Sequence, residues 1–190
     1  LNSPHVGKNF QDHLGLDYLY KTYFPTLNKD LGTWGGRVRT FLQYVYNRKG
    51  PLSLSLNQGG GYVNWKSLDP YPNIQLYFNP LTYSVSFKNK RPLLNTDKFN
   101  GFIIGFNSCR PKSLGEVNLQ NIDNNYLPSI DPRYLSDERD IHDLYSIFDF
   151  IRKFSLNKNI SNIIKSPVNI DPIKLSDDEL LDHFKSNATT

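Results

Sequence analysis

Four histidines are the side chains in this sequence best suited to proton transfer near neutral pH. Their spacing fits no metal-binding pattern, and the one cysteine, Cys109, adds no ligand pair. Asp12 could orient the ring of His13 beside it, although a structural hydrogen bond is favoured over acid–base work. His142 and His183 fall in predicted helices, where a surface or boundary role is favoured. No nucleophile beside a base and no spaced carboxylate pair is visible, so these residues alone define no active site.

Three consecutive glycines at residues 59–61 raise the possibility of a phosphate site. A phosphate cradle needs a strand, a glycine loop and then a helix N-terminus whose amides point at the anion. The next residues, YVNW at 62–65, favour a strand instead. A bulge or tight corner is therefore the favoured interpretation, and the chain contains no dinucleotide-binding fingerprint.

Polar side chains within and just after an apolar strand are more suggestive of a binding site. Tyr77, Asn79 and Tyr83 would place hydroxyl and amide groups on one face of a sheet, where they could orient a ligand. The alternative is a solvated sheet face with tyrosines at its margin. From the pattern alone, that alternative is favoured.

The composition is that of a packed domain and excludes several classes of protein. The 190 residues are 38% hydrophobic and 14% aromatic, and the formal net charge is +4 with scattered basic residues. Scattered charge favours a solvated surface over a nucleic-acid interface. No apolar run reaches the roughly 20 residues of a membrane span, and one cysteine cannot form an internal disulfide. We therefore expect a cytoplasmic protein that binds no nucleic acid and has no membrane span.

Alternating and apolar runs predict the strands of an antiparallel sheet. Weak alternation favours a strand over residues 14–24, and strict alternation at 52–56 predicts a strand that turns at the glycine corner. Residues 73–80 and 99–107 predict two more strands, the second apolar enough to be central. We expect a polar surface loop over 81–98. No helix separates the later strands, so they should pair as antiparallel neighbours.

The joint between sheet and helix is the run NSCRPKSLGEVNLQ at residues 107–120. Its proline and glycine predict a corner between two strands, and therefore a hairpin at the sheet edge. The later residues 130–135 should lead out of the sheet and into a helix.

Helical periodicity appears in three places. Residues 34–49 have apolar positions at helical spacing and end at Gly50, which precedes a proline. Ser136 is a good N-cap for a long amphipathic helix. Ser176 and Glu179 form a capping box for a final helix.

An ordered set of motifs resembles the glucose-methanol-choline (GMC) oxidoreductases. The first segment is similar to that family's V-G-x-N-L-Q-D-H, the others follow in the family's order and at about its spacing, and together they cover nearly the whole chain. The motifs are VGKNFQDH at 6–13, GPL at 50–52, PNIQL at 72–76, RPKSLG at 110–115 and IDPRYL at 130–135.

The resemblance implies an FAD-dependent oxidoreductase that acts on the CH–OH group of an alcohol, with hydride transfer to the flavin. It implies an α+β fold for this segment: an antiparallel sheet of about five or six strands with helices on one face, part of a larger FAD-binding protein. Residues 1–13 would connect from a missing FAD-binding domain, 14–135 would form the substrate-binding sheet with one inserted helix, and 136–190 would lead back towards that domain. The lack of methionine agrees with a segment of a longer chain.

The resemblance also assigns roles to individual positions. Tyr77, Asn79 and Tyr83 would bind the substrate, FAD would be bound mainly by absent segments, and no catalytic residue falls in the chain, because the catalytic histidine motif should follow Thr190. The chain alone should be inactive. The acidic residue that choline-oxidising relatives use would fall near Lys21, whose positive charge favours a neutral alcohol. The alternative is a non-catalytic, stand-alone binding module with the same fold.

Overall fold

A five-stranded antiparallel sheet forms the centre of the protein, in the order β2 (Gly59–Val63), β3 (Ile74–Asn79), β6 (Gly101–Ser108), β1 (Gly15–Thr22) and β9 (Ile164–Pro167). The computed structural model describes residues 3–67, 69–86, 93–120 and 127–190. β6 occupies the middle of the sheet, all of its residues are buried, and it pairs with β3 on one side and β1 on the other.

The other elements within the described ranges are two pairs of short strands, five α-helices and a 3₁₀ helix at Pro51–Ser53. The strands β4 (Tyr83–Ser86) and β5 (Leu93–Thr96) pair with each other, as do β7 (Glu116–Asn118) and β8 (Ser129–Asp131). The helices are α1 (Leu27–Leu31), α2 (Trp34–Asn47), α3 (Glu138–Leu156), α4 (Lys158–Ser161) and α5 (Asp177–Asn187).

Alternation along the strands gives the sheet two chemically different faces. One face packs under α3 and α5 and carries aromatic and branched side chains from β1, β3 and β6. Full burial of one such side chain contributes about 1.5–3 kcal/mol, so this face supplies most of the core. Its members include Leu16, Tyr18, Tyr20, Ile74, Phe102, Ile104 and Phe106 from the sheet, with Leu144, Phe148, Ile151, Leu180 and Phe184 from the helices. The opposite face carries Asp17, Tyr77 and Gly105.

The predicted helices form, but the N-cap of α3 is Asp137 and not the predicted Ser136. α3 buries Leu144, Phe148 and Ile151 along one stripe, and Asp137 caps it by accepting a hydrogen bond from the Arg139 amide. The capping box of α5 is present, with the side chains of Ser176 and Glu179 each bonded to the other residue's backbone amide. The predicted α+β class, with an antiparallel sheet and helices on one face, is confirmed.

The predicted strand over residues 52–56 is wrong. Pro51–Ser53 form a short 3₁₀ helix, and Leu52 and Leu54 are exposed. Alternation requires a neighbouring strand and a core to bury its apolar side, and this segment has neither. The predicted corner at residues 59–61 is also wrong, because these glycines belong to β2, where Gly60 lies opposite Tyr77 of β3.

Two further expectations about connections are corrected. The segment 81–98 is more than a surface loop, since it contains the β4–β5 pair, while residues 87–92 lie outside the described part. The predicted hairpin over 107–120 is wrong: β7 pairs with β8, and its partner is not β6. The buried carboxylate of Asp140 instead holds the intervening loop, accepting hydrogen bonds from the amides of Lys112 and Ser113 at 2.7 and 2.8 Å.

Candidate functional site

The face of the sheet opposite α3 and α5 carries a polar row that runs across three strands. Tyr77 on β3 and Asp17 on β1 both lie opposite Gly105 of β6. The Tyr77 hydroxyl donates a hydrogen bond to Asp17 Oδ1 at 2.7 Å. Gly105 makes this possible, because a Cβ there would come within 1.9 Å of the Tyr77 ring. We call Asp17, Tyr77, Asn79, Tyr83 and Gly105 the polar face.

Burial perturbs the ionisation of these groups. It raises the pKa of Asp17 above 3.8, although the hydrogen bond from Tyr77 opposes that rise. It also raises the pKa of Tyr77, and the bond to Asp17 reinforces that shift. The pKa of Tyr83 is raised by burial and then by the charge of Asp17. The tyrosines therefore stay protonated donors, and Asp17 is a carboxyl group that gains from a further hydrogen-bond donor.

Asn79 adds an unpartnered acceptor beside this row. It is the last residue of β3, two positions beyond Tyr77, and only 2% of its surface is exposed. Its side-chain oxygen has no hydrogen-bond partner among the residues that the structure describes. A buried carbonyl without a donor is destabilising by about 1–3 kcal/mol. A ligand hydroxyl or a water would satisfy it.

Of the three sequence-predicted site residues, Tyr77 and Asn79 lie on β3 of the five-stranded sheet, and Tyr83 lies on β4 of a separate two-stranded sheet. Tyr83 begins β4, is half-buried, and lies near enough to Asp17 and Tyr77 for their ionisations to influence one another. Lys21 shares this face of β1 but lies over the ring of Phe99, 4.9 Å from its centroid.

Sequence reasoning missed Asp17 and Gly105. The alternation of β1 could have identified Asp17, because every second side chain of the strand is buried. Asp17 and Lys21 point to the other face. Asp17 adds a carboxyl group to the face of β1 that carries Lys21, and the preference for a neutral alcohol stays a prediction. The role of Gly105 depends on the β3–β6 register, which the sequence does not reveal.

The other residues considered for chemistry have structural surroundings. Asp12 accepts a hydrogen bond from the His13 amide at 2.9 Å and another from the Tyr134 hydroxyl at 3.1 Å, so it fixes a turn and does not orient the His13 ring. The exposed His142 and the half-buried His183 lie on α3 and α5. Burial raises the pKa of the Cys109 thiol, which lowers its reactivity.

Two cavities lie away from the polar face, around the loop that contains Arg110 and Lys112. One has a volume of about 200 Å³ and includes His142, and the other has a volume of about 360 Å³ and includes His13. Within the described ranges, no cluster of three or more His, Cys, Asp or Glu side chains could hold a metal ion. Among those same residues, no helix combines the length and apolar character that crossing a membrane requires.

The architecture occurs in solved structures of oxidases. Formate oxidase from Aspergillus oryzae RIB40, a protein with FAD modification, superposes on the whole chain with a TM-score of 0.81 at 19% identity, and the match covers 37% of that protein. Pyridoxine 4-oxidase from Mesorbium loti superposes with a TM-score of 0.70 at 18% identity, and the match covers 32% of it. At these identities, the likeness establishes the fold alone.

The chain is also similar in sequence to curated dehydrogenases. The chain is 29% identical over 189 residues to alcohol dehydrogenase [acceptor] from Pseudomonas putida, covering 98% of this chain and 33% of that protein. It is 26% identical over 190 residues to oxygen-dependent choline dehydrogenase from Burkholderia ambifaria (strain MC40-6), covering 100% of this chain and 32% of that protein. No family model matches. The chain spans about a third of the length of these relatives, and the matches confirm its resemblance to a segment of GMC oxidoreductases.

Proposed function

We propose that this chain supplies the substrate-binding sheet of an FAD-dependent oxidoreductase that acts on the CH–OH group of an alcohol. The observation that carries the proposal is the polar face, where a tyrosine–carboxyl pair adjoins the unpartnered oxygen of Asn79. The matches to alcohol and choline dehydrogenases support the substrate class.

The groups on the polar face suit an alcohol. The side-chain oxygen of Asn79 can accept a hydrogen bond from the substrate hydroxyl, and this would remove the penalty of burying that oxygen alone. The rings of Tyr77 and Tyr83 provide apolar contact for the carbon chain. Asp17 fixes the Tyr77 hydroxyl by accepting its proton in a hydrogen bond. The roles of these residues are binding and orientation.

The described residues do not themselves fit the phosphates of FAD. Residues 59–61 lie within a strand, and no helix N-terminus follows them, so they form no pyrophosphate cradle. FAD, which would accept the hydride from the alcohol, is proposed to be held by segments outside this chain. The catalytic histidine is proposed to follow Thr190. On this proposal residues 1–13 connect to the FAD-binding domain, residues 136–190 lead back to it, and the chain alone is inactive.

The proposal that FAD is bound outside this chain can be tested by purifying the 190-residue chain and measuring its flavin absorbance. After incubation with excess FAD and gel filtration, we expect no flavin absorbance in the protein fraction. Stoichiometric FAD on this chain would contradict the proposal that the flavin is held elsewhere.

A test of the substrate site is a chimera in which this chain replaces the matching third of the Pseudomonas putida alcohol dehydrogenase. Tyr77→Phe removes the bond to Asp17 and should lower kcat/KM for alcohols about tenfold, while Tyr71→Phe, at an exposed tyrosine distant from the row, should leave it unchanged. Equal kcat/KM values in both variants would show that Tyr77 does not contribute to substrate binding. An inactive chimera that still binds alcohol at Tyr77 would favour the alternative, a non-catalytic binding module.

A further inference from the structure

Helix α2 presents an apolar stripe to solvent instead of to the core. Trp34 is 80% exposed and Phe41 57%, and the other large apolar side chains of the stripe are exposed as well. Exposed apolar side chains at single positions are ordinary, but a contiguous helical stripe marks an interaction surface. We call this stripe the apolar face of α2, and it consists of Trp34, Val38, Phe41, Leu42 and Val45.

The opposite side of the helix makes the few contacts that attach it to the protein. Thr40 is the buried residue of α2, and Gly36 and Tyr44 lie four positions to either side of it, on the same edge. The contacts of α2 with other elements are mainly with α1 and the 3₁₀ helix at Pro51–Ser53. The apolar face therefore points away from the sheet.

The charge around this helix is of a single sign. Residues 31–68 contain five cationic side chains and no carboxylate, although the whole chain carries a formal charge of only +4. Lys66 pairs with Asp149, while the other four make no ion pair within the described ranges. Those four are Arg37, Arg39, Arg48 and Lys49.

The cations border the apolar face. At about 3.6 residues per turn, Arg37 falls on one edge of the stripe and Arg39 on the other. Two of the cations are held in place, since Arg37 Nε donates to the Leu31 carbonyl at 2.6 Å and Arg48 lies over the Tyr44 ring. Tyr46 is also 80% exposed. An apolar stripe with a basic border and aromatic residues at its margin is the pattern of a helix that lies in a membrane interface.

We propose that α2 docks the protein on the surface of a membrane that contains anionic lipid. The apolar face enters the boundary between headgroups and acyl chains, and Arg37, Arg39, Arg48 and Lys49 meet lipid phosphates. The single sign of charge favours an anionic surface over a second copy of the chain, which would bring the same four cations against each other. The docking does not depend on the proposed oxidoreductase activity.

Vesicle cosedimentation of the 190-residue chain tests the proposal. We expect binding to vesicles of equimolar phosphatidylglycerol and phosphatidylcholine to be at least tenfold stronger than to pure phosphatidylcholine. The difference should shrink at high salt, because the lipid surface potential is screened. Equal binding to both vesicles, or none to either, would overturn the proposal.

Matched variants distinguish vesicle binding through α2 from nonspecific hydrophobic binding by other surfaces. Phe41→Ser with Leu42→Ser removes apolar surface from α2, and we expect at least a tenfold loss of vesicle binding. The control double variant, Leu119→Ser with Leu156→Ser, removes two exposed leucines elsewhere and should bind like the parent. Equal losses in both doubles would contradict docking through α2. So would a concentration-dependent dimer that forms without lipid and disappears in the α2 double, since it would identify a second copy as the occupant.

The two tryptophans provide a direct probe of insertion. Trp34 lies on the apolar face, whereas Trp65 is half-buried and bonded to Asp149 at 2.9 Å. Brominated lipid in the anionic vesicles should quench tryptophan emission in the parent, and Trp34→Phe should abolish that quenching. Quenching that persists in Trp34→Phe would place the contact at another surface and overturn the proposal.

Discussion

At position 105 the absence of a side chain lets one strand's tyrosine reach across to another strand's carboxyl. The Tyr77 ring occupies the space where a Cβ at Gly105 would lie, and the Tyr77 hydroxyl donates a hydrogen bond to Asp17. The geometry needs a residue without a side chain in the middle strand and a long polar one on each side of it. The polar face is therefore sensitive to single-atom changes.

Gly105→Ala should destabilise the protein by about 2 kcal/mol, because the added methyl displaces the Tyr77 ring from a packed sheet. The control is Gly61→Ala, where nothing lies within 4 Å of the new Cβ. Urea unfolding of both variants measures the difference. If the clash is the cause, Tyr77→Ala combined with Gly105→Ala should be less destabilised than the sum of the single changes; strict additivity would contradict it.

Asp17→Asn should make the protein more stable near neutral pH. The pKa of Asp17 is raised by burial, so its contribution to stability is fully present below 3.8 and is lost as the pH rises through the folded pKa. The variant has no charge to bury and keeps an acceptor for Tyr77. When the unfolding free energies of the two proteins are compared from pH 3 to pH 8, the stability advantage of the variant should grow as the pH rises.

The control for this comparison is Asp182→Asn, at an exposed carboxyl of α5. A parent protein that gains stability relative to Asp17→Asn as the pH rises would contradict the assigned direction of the shift. A stabilised variant that loses alcohol binding would show that Asp17 is kept for function at the expense of stability.

At the scale of elements, the joint between sheet and helix depends on one buried carboxylate. Asp140 in the first turn of α3 accepts hydrogen bonds from the amides of Lys112 and Ser113 and from the Ser113 hydroxyl. Ser113 in turn accepts a hydrogen bond from the Asp137 amide at the start of the helix. The motif RPKSLG is thus a loop fastened to a helix N-terminus, and its role is structural.

Asp140→Asn should destabilise the protein by about 3 kcal/mol, because an amide group cannot accept all of these bonds and brings donors that have no partner. Asp178→Asn, at an exposed carboxyl in the first turn of α5, is the matched control and should change stability by less than about 0.5 kcal/mol. Thermal unfolding monitored by circular dichroism measures both. Equal small effects would mean that the loop is held by other contacts.

At the scale of the whole molecule, we expect exposed ion pairs to contribute to the response to acid. Hydrogen bonds lower the pKa of Glu116, Asp137 and Asp149 to about 2, with Lys8, Arg139 and Lys66 as their respective first partners. A depressed pKa contributes stability that is present above the ordinary value and is lost as the pH falls towards 2. Urea unfolding should show stability declining between about pH 4 and pH 2.

Salt distinguishes this origin from a collapse of the core. The three groups are solvent-accessible, so 0.5 M NaCl should flatten the decline by screening the pairs. The triple variant Glu116→Gln, Asp137→Asn and Asp149→Asn should flatten it without salt. A decline that is unchanged in the triple variant would assign acid sensitivity to other groups.

Much of this architecture could be predicted from local pattern. The central strands, the apolar stripe of α3 and the capping box at Ser176 are encoded by neighbours in the chain. The failures share a cause: residues 52–56 alternate like a strand but have no partner, and residues 116–118 pair with β8 because the chain folds back at a distance. Pairing depends on tertiary contacts that periodicity does not report.

The sequence by itself determined the class of fold, the resemblance to GMC oxidoreductases and the candidate residues Tyr77, Asn79 and Tyr83, because these depend on residue type and order. Only the tertiary structure decided that Tyr77 reaches Asp17 over Gly105 and that the apolar side of α2 faces solvent. Strand register selects which side chains meet, and packing selects which face of a helix is covered. Both are set by contacts between residues far apart in the chain.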